Sequence, residues 1–138
     1  MRTFYEDYTA GINSESEIVS ALEEAFDTKL YKTTKFHRMD FEGDNVWIEV
    51  KTRFGVSSDT YPTMLIPESK IIFALTATKP VYFVFALTDG IFYSQFNKDK
   101  FAQYRQERVC RFDRGEEIAV RHLHIPCSDL DWCIKYAV

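Results

Sequence analysis

The stretch Met39–Arg53, MDFEGDNVWIEVKTR, constrains the fold more than any other part of the chain. Apolar side chains occupy every second position from Val46 to Val50, and Glu49 and Lys51 fall on the alternate positions. Because the side chains of a strand point to opposite faces in turn, one face is apolar and the other carries the charged pair. Gly43 and the polar residues beside it mark a tight turn. The sequence therefore predicts a β-hairpin with a charged face.

The length of the hairpin loop decides whether Asp40 reaches Glu49. A two-residue loop places Asp40 diagonal to Glu49, and a four-residue loop places it directly opposite, so both keep the carboxylates on one face. A three-residue loop would put them on opposite faces. The apolar pattern favours the first two loops, because Met39 and Phe41 then share a face with Ile48.

Two carboxylates and a lysine converge on this predicted face. Like charges in close contact raise one pKa or recruit a cation. Mg²⁺ binds through one or two carboxylates together with substrate phosphate, and a bound metal polarises a phosphoryl oxygen and helps to make hydroxide from water. Lys51 would orient that nucleophile or stabilise developing negative charge. The alternative is an exposed strand face with a cross-strand ion pair of little energetic value.

Asp40, followed after a short gap by Glu49-Val50-Lys51, resembles the core of the PD-(D/E)XK nuclease superfamily, which includes Holliday-junction resolvases and small phage and viral nucleases. The resemblance implies an α/β, restriction-endonuclease-like core with a central mixed β-sheet flanked by helices. It also implies that Asp40, Glu49 and the Val50 carbonyl bind a metal and that Lys51 is the catalytic lysine. Met39 stands where the motif name expects proline, a replacement that is frequent in the superfamily.

The same resemblance implies a Mg²⁺- or Mn²⁺-dependent endonuclease that hydrolyses phosphodiester bonds in DNA. A homodimer is one way for such an enzyme to cut two strands. Branched, double-stranded and single-stranded DNA, and RNA, stay open as substrates, as do endonuclease and exonuclease modes. The alternative function is a catalytically inactive module on the same fold that binds nucleic acid or protein.

A helix is predicted from a cap at Asn13 or Ser14 to about Phe26, because Ile18, Val19, Leu22 and Phe26 lie at helical spacing. The resembled superfamily often has a glutamate in this helix that reaches the metal site. Glu15 falls on the side of the apolar stripe, whereas Glu17 points towards solvent. The alternative for Glu15 is an acidic first-turn residue that is favourable with the helix dipole.

Two cationic residues are candidate phosphate contacts. Arg53 shares the face of Glu49 and Lys51 by alternation. Lys70 lies one turn into a second predicted helix, which begins at Pro67 and runs to about Thr78. For both residues, solvated surface is the alternative explanation.

Other elements follow from local patterns. The apolar strand Val81–Leu87 shows no alternation, as expected for a central strand covered on both faces. In the predicted Pro67–Thr78 helix, the core-facing residues are Ile71, Ile72 and Leu75; a strand over its KIIFAL portion, residues 70–75, is the alternative. The further predictions are strands at 30–35, 91–96, 109–112 and 118–125, a helix at 99–107, a turn or short helix at 128–132, an irregular lead-in at 1–12, and an Asp89-Gly90 hairpin turn.

Composition limits the class of protein. With 138 residues, of which 46% are hydrophobic, the chain is expected to form a single domain over 1–138, with a core at about 14–96 and a C-terminal elaboration at 97–138. The net charge of −4 counts against a general nucleic-acid binder, although basic runs at 29–38 and 105–114 offer local sites for phosphate. No signal peptide or membrane span is apparent, so we expect a cytoplasmic protein without membrane partners, inside a host cell if it is viral.

A zinc-stabilised interaction domain is a third possibility. His122, His124, Cys127 and Cys133 are potential zinc ligands within a short span. Their spacing matches no common zinc module, and reduced thiols are the default for an intracellular chain.

Overall fold

The computed structural model describes residues 15–113 and 116–135. The predicted lead-in, the cap at Asn13 or Ser14, and Arg114 of the second basic run lie outside these residues. The helices are α1 (Glu15–Phe26), α2 (Glu68–Thr76) and α3 (Lys98–Phe101), with a 3₁₀ turn at Cys127–Asp129. The strands are β1 (Tyr31–Lys32), β2 (Phe41–Glu42), β3 (Trp47–Thr52), β4 (Thr63–Pro67), β5 (Val81–Leu87), β6 (Gly90–Gln95), β7 (Gln106–Asp113), β8 (Glu116–Pro126) and β9 (Asp131–Lys135).

Two sheets organise the described chain. The main sheet has the order β1-β2-β3-β5-β6-β9, in which only the β3–β5 pair is parallel. The smaller sheet, β4-β8-β7, is antiparallel. This mixed sheet with flanking helices confirms the predicted α/β fold class.

The main sheet buries both of its faces. On one face, α1 packs through Ile18, Ala21 and Leu22 against Ile48, Val84 and other side chains of β3, β5 and β6. On the other face, α2 and the smaller sheet cover a second core that includes Phe83, Phe85 and Leu123. β5 contributes to both cores, and Phe83, Val84 and Phe85 are fully buried. The prediction of a central strand covered on both faces is therefore confirmed.

The prediction for α2 is partly wrong. The helix ends at Thr76 rather than Thr78, and Pro67 precedes it as the last residue of β4, a strand that the sequence did not predict. Ile71 is buried as expected, but Ile72 and Leu75 are 56% and 51% exposed. Ala74 takes their place against the core, because this short helix buries only the narrow face on which Ile71 and Ala74 lie three positions apart.

Element lengths also differ from prediction. The strand expected at 30–35 has only two paired residues, and the helix expected at 99–107 is the four-residue α3, after which the chain enters β7. The strand expected at 91–96 spans Gly90–Gln95, so the two loop residues of that hairpin are Thr88 and Asp89. The region expected as a turn continues into β9, the sixth strand of the main sheet. No helix in the described residues is long and apolar enough to cross a membrane.

Candidate active site

The hairpin has the four-residue loop, one of the two alternatives that the apolar pattern favoured. Phe41 pairs with Ile48 and Glu42 with Trp47, which leaves four residues between the strands. The Gly43 N–H donates to the Val46 carbonyl at 2.9 Å. A Cβ on Gly43 would lie only 3.0 Å from the Val46 side chain and 3.1 Å from Thr28 Oγ1. The close packing around this turn therefore favours glycine.

The chain bends at residues 37–40, just before β2. Met39 consequently packs in the core that contains Phe83, whereas Phe41 packs with Ile48 in the core beneath α1. The expectation that Met39 and Phe41 share a face was therefore wrong, because the period of two does not extend through a bend.

Asp40 lies at the edge of β3. Its N–H donates to the Ile48 carbonyl at 3.1 Å, although Ile48 is paired with Phe41, so the regular register of the hairpin ends at Phe41 and Asp40 lies just beyond it. Its Oδ2 accepts a hydrogen bond from the Val50 N–H at 2.8 Å. In an antiparallel pair, the N–H and C=O of one residue point to the same edge. The Val50 carbonyl therefore faces the same edge as the Asp40 carboxylate.

Glu49 is a buried carboxylate with two lysine neighbours. It is 2% exposed, and its Oε2 lies 3.2 Å from Lys70 Nζ and 3.6 Å from Lys51 Nζ. In the ionised carboxylate, its buried Oε1 has no hydrogen-bond partner in the described part of the chain. Burial, followed by the negative charge of Asp40, raises the pKa of Glu49 from 4.5 to about 7, although both lysines oppose the shift, and a hydrogen bond to Asp40 in the protonated form adds to the rise. One oxygen of this carboxylate thus lacks the partner that a buried polar atom requires.

A cleft of about 350 Å³ opens on the side of β3 that faces α1. It is lined by Glu15, Ile18, Lys32, Asp40, Phe41, Val50 and Thr52. Asp40 thus borders both the open cleft and the buried Glu49, while Glu49, Lys51 and Lys70 are absent from the cleft walls.

Glu15 and Lys32 meet across this cleft. Lys32 Nζ lies 3.1 Å from a Glu15 carboxylate oxygen, and both side chains are more than half exposed. Glu17 does not line the cleft. The structure therefore brings Glu15, not Glu17, near Asp40.

The two candidate phosphate contacts lie in different surroundings. Lys70 is the nearer lysine to Glu49 and also donates to the Arg38 carbonyl, so its ammonium group belongs to the carboxylate cluster. Arg53 follows the end of β3 and is exposed in a neighbouring groove.

Sequence reasoning missed Thr52 and Lys32 as cleft residues. Thr52 follows Val50 by two positions, so strict alternation along β3 was a signal that could have placed both on the wall facing α1. The sequence places Lys32 only in a basic run. Glu15, which it contacts, lies seventeen residues earlier in the chain, so no local pattern indicates the contact.

The described residues do not assemble the zinc site considered above. His122 Nδ1 lies 2.9 Å from the Val120 carbonyl, and His124 Nδ1 lies 2.7 Å from Thr63 Oγ1. Cys127 donates to the Tyr61 carbonyl, while Cys133 packs in the core beneath α1. Within 15–113 and 116–135, no group of three or more His, Cys, Asp or Glu side chains is placed to hold a metal. A site at Asp40 and Glu49 would therefore rely on backbone oxygen and water for its other ligands.

Comparison with known proteins agrees with the motif. A family model described as "Phage putative PDDEXK endonuclease" matches residues 1–132, nearly the whole chain. No curated protein and no solved structure gives a significant match. The matched range includes Asp40, Glu49 and Lys51, and the mixed sheet agrees with a restriction-endonuclease-like core. The chain belongs to this phage family of the PD-(D/E)XK nuclease superfamily.

Proposed function

We propose that this protein is a Mg²⁺- or Mn²⁺-dependent endonuclease that hydrolyses phosphodiester bonds in DNA. The family supports nuclease chemistry in general. The divalent metal, the DNA substrate and the residue roles below are inferred from the arrangement around β3.

The observation that carries the proposal is the unpartnered oxygen of Glu49. A buried carboxylate oxygen without a hydrogen bond is costly, and Asp40 adds a second negative charge beside it. A divalent cation held by Asp40 and Glu49 would give the buried oxygen a partner and balance the second negative charge. The donor set also fits, because Asp40, Glu49 and the Val50 carbonyl offer only oxygen, the ligand type that Mg²⁺ prefers.

When bound, the cation would act as a Lewis acid for the scissile phosphate and lower the pKa of the attacking water. Lys51, 29% exposed, would direct its ammonium group at the charge that develops on the phosphate. Lys70 would hold Glu49 in place and help Lys51 to stabilise the charge on the phosphate. Glu15 would accept hydrogen bonds from water on the opposite wall of the cleft, and Arg53 would hold a phosphate away from the reacting centre.

The test is cleavage of a labelled panel by purified wild type and Lys51→Ala. The panel contains linear duplex, single strand, supercoiled circle and four-way junction, each with Mg²⁺, Mn²⁺ or EDTA. We expect metal-dependent cutting that falls about 100- to 1000-fold in Lys51→Ala, the usual cost of removing one transition-state donor. Lys100→Ala, which removes an exposed lysine of α3, should cut like the wild type.

Cutting of the supercoiled circle distinguishes an endonuclease from an exonuclease, because a closed circle has no end. Cutting that survives Lys51→Ala would mean that another site or a contaminant is responsible. A folded protein that binds DNA but never cuts it would instead support the inactive binding module.

A further inference from the structure

A second groove adjoins the cleft, and Thr52 lines both. We call it the aromatic groove, and its volume is about 710 Å³. The lining residues that matter here are Thr52, Arg53, Phe54, Tyr61, Arg105 and His124. Because Thr52 is the last residue of β3, the groove begins where the strand that carries Glu49 and Lys51 ends.

Two exposed aromatic rings stand in this groove. Phe54 is 66% exposed and Tyr61 is 57% exposed, and neither ring stacks on another aromatic side chain of the described residues. Exposed aromatic side chains that share one groove with cations are typical of binding sites rather than of inert surface.

The loop between the two rings is braced by a hydrogen bond within it and tied to neighbouring segments at its middle and after Tyr61. The Ser57 N–H donates to Thr60 Oγ1 at 2.9 Å, and the Ser58 N–H donates to Asp89 Oδ1 at 3.0 Å. The Cys127 N–H donates to the Pro62 carbonyl at 2.9 Å, next to Tyr61. The groove is therefore held in shape before any ligand arrives, which reduces the entropy lost on binding.

The groove also carries positive charge in an acidic chain. No carboxylate of the described residues forms an ion pair with Arg53. Arg105 lies 3.7 Å from Glu107 and within hydrogen-bond distance of His124, so its charge is partly balanced. Arg53, next to Phe54, is therefore the main free cation of the groove, in a protein whose net charge is −4.

We propose that the aromatic groove binds an unpaired strand of the DNA substrate and leads it past Thr52 into the cleft. Bases would stack on Phe54 and Tyr61, and Arg53 would contact the backbone phosphate. In a duplex, the base faces stack on one another, so exposed protein rings can engage only bases that are unstacked. This inference rests on the proposed nuclease function and adds a strand preference to it.

Binding is tested by fluorescence anisotropy in EDTA, where no cutting is expected. The probes are a labelled oligothymidylate, a blunt duplex of the same length and a matching oligouridylate. The proteins are wild type, Phe54→Ala, Tyr61→Ala and the double variant. Each single variant should bind the single-stranded DNA about 5- to 100-fold more weakly, the usual effect of removing one stacking ring, and should bind the duplex like the wild type.

Trp132→Ala is the matched control, because Trp132 is an aromatic residue of β9 that is 59% exposed and does not line the groove. It should leave all affinities unchanged. Phe54→Trp should restore binding and show quenched tryptophan emission on the oligothymidylate, which a merely structural role for Phe54 would not produce.

Four outcomes would overturn the proposal. If the groove variants keep wild-type affinity, as Trp132→Ala should, the groove does not bind the strand. If they lose equal affinity for duplex and single-stranded DNA, the groove has no preference for an unpaired strand. Tighter binding of the oligouridylate would assign the groove to RNA. A wild-type dimer that dissociates in Phe54→Ala, measured by sedimentation, would assign it to a second copy of the chain.

The cleavage panel separates this inference from the proposed nuclease. If wild type cuts no substrate with any metal, the nuclease proposal fails even when the groove binds single strands. If wild type and Phe54→Ala show the same ratio of cutting rates on single-stranded and linear duplex DNA, the groove proposal fails while the nuclease proposal stands.

Discussion

Two adjacent strands of the main sheet, β3 and β5, differ in what burial does to their stability: it is favourable for an apolar side chain of β5 and unfavourable for a carboxylate of β3. They run parallel, with Glu49 beside Phe83 and Lys51 beside Phe85. Glu49 is 2% exposed and Phe83 is fully buried, so the two neighbours have almost the same access to water. Phe83 gains free energy from that burial, whereas the Glu49 carboxylate loses hydration and keeps one oxygen without a partner.

The difference shows that β5 contributes mainly packing, whereas β3 carries the charged residues of the candidate site. β5 is paired at six of its seven residues on each side, while the β2 side of β3 is paired at only two residues. The missing pairing leaves room for Asp40 at the edge of β3, where its carboxylate meets the Val50 N–H. An unfavourable carboxylate can be held rigidly there because the adjacent apolar strand supplies the packing.

The largest expected effect is on the apolar side of this comparison. Phe83→Ala should lower the free energy of unfolding by about 3–5 kcal/mol, because it opens a cavity in the core that the smaller sheet covers. Urea denaturation of wild type and variant measures it. A loss below about 1 kcal/mol would mean that β5 does not supply the packing that supports β3.

On the charged side, stability should depend on pH through Glu49. Its pKa is raised from 4.5 to about 7 on folding, so between these values the folded protein keeps a proton that the unfolded chain has lost. The Glu49 contribution is therefore most favourable below pH 4.5 and falls as pH rises towards 7, by about 3 kcal/mol at most.

The measurement is urea denaturation in EDTA at several pH values for wild type, Glu49→Gln and Glu24→Gln. Other groups titrate in every variant, so the informative quantity is the difference between wild type and Glu49→Gln. That difference should change with pH, while the difference between wild type and Glu24→Gln, an exposed residue of α1, should stay flat. A flat Glu49→Gln difference would show that burial does not perturb this carboxylate.

A bound divalent metal should offset the free-energy cost of burying the Glu49 carboxylate on β3. A ligand that binds only the folded state at about 100 times its Kd raises the free energy of unfolding by about 2.7 kcal/mol. We expect Mn²⁺ at about 100 times its Kd to stabilise the wild type by this amount and to stabilise Glu49→Gln or Asp40→Asn little or not at all. Thermal denaturation with and without Mn²⁺ measures the difference. An equal gain in all three proteins would place the metal elsewhere.

The hairpin illustrates how far sequence patterns reach. Alternation along β3 predicted its apolar and charged faces, and Gly43 predicted the turn, because both signals are local. The bend at Met39 broke the same period by moving that side chain into the other core. No short-range pattern indicates such a bend, since packing against Phe83 and its neighbours decides it.

The site shows the same limit. Asp40, Glu49 and Lys51 were recognised together because they lie within twelve residues of one hairpin. The contact between Lys70 and Glu49 depends on how β4 and α2 return over the sheet, and the aromatic groove depends on where the smaller sheet sits. Ile72 and Leu75 were misplaced for the same reason, because tertiary packing chose the narrow face of α2 that is buried.

The smallest expected effect on stability concerns the cleft side of β3, and it tests whether Glu15 or Glu17 supports the candidate site. The Glu15–Lys32 ion pair is largely exposed, so Glu15→Gln should change the free energy of unfolding by no more than about 1 kcal/mol. If Glu15 orders water next to Asp40, the same variant should cut DNA about 10- to 100-fold more slowly, the usual effect of losing a group that supports a metal site. Glu17→Gln, two positions along the same helix, should cut at the wild-type rate. Equal rates for wild type and both variants would leave Glu15 as a first-turn acid on α1 and confine the chemistry to Asp40, Glu49 and the lysines beside them.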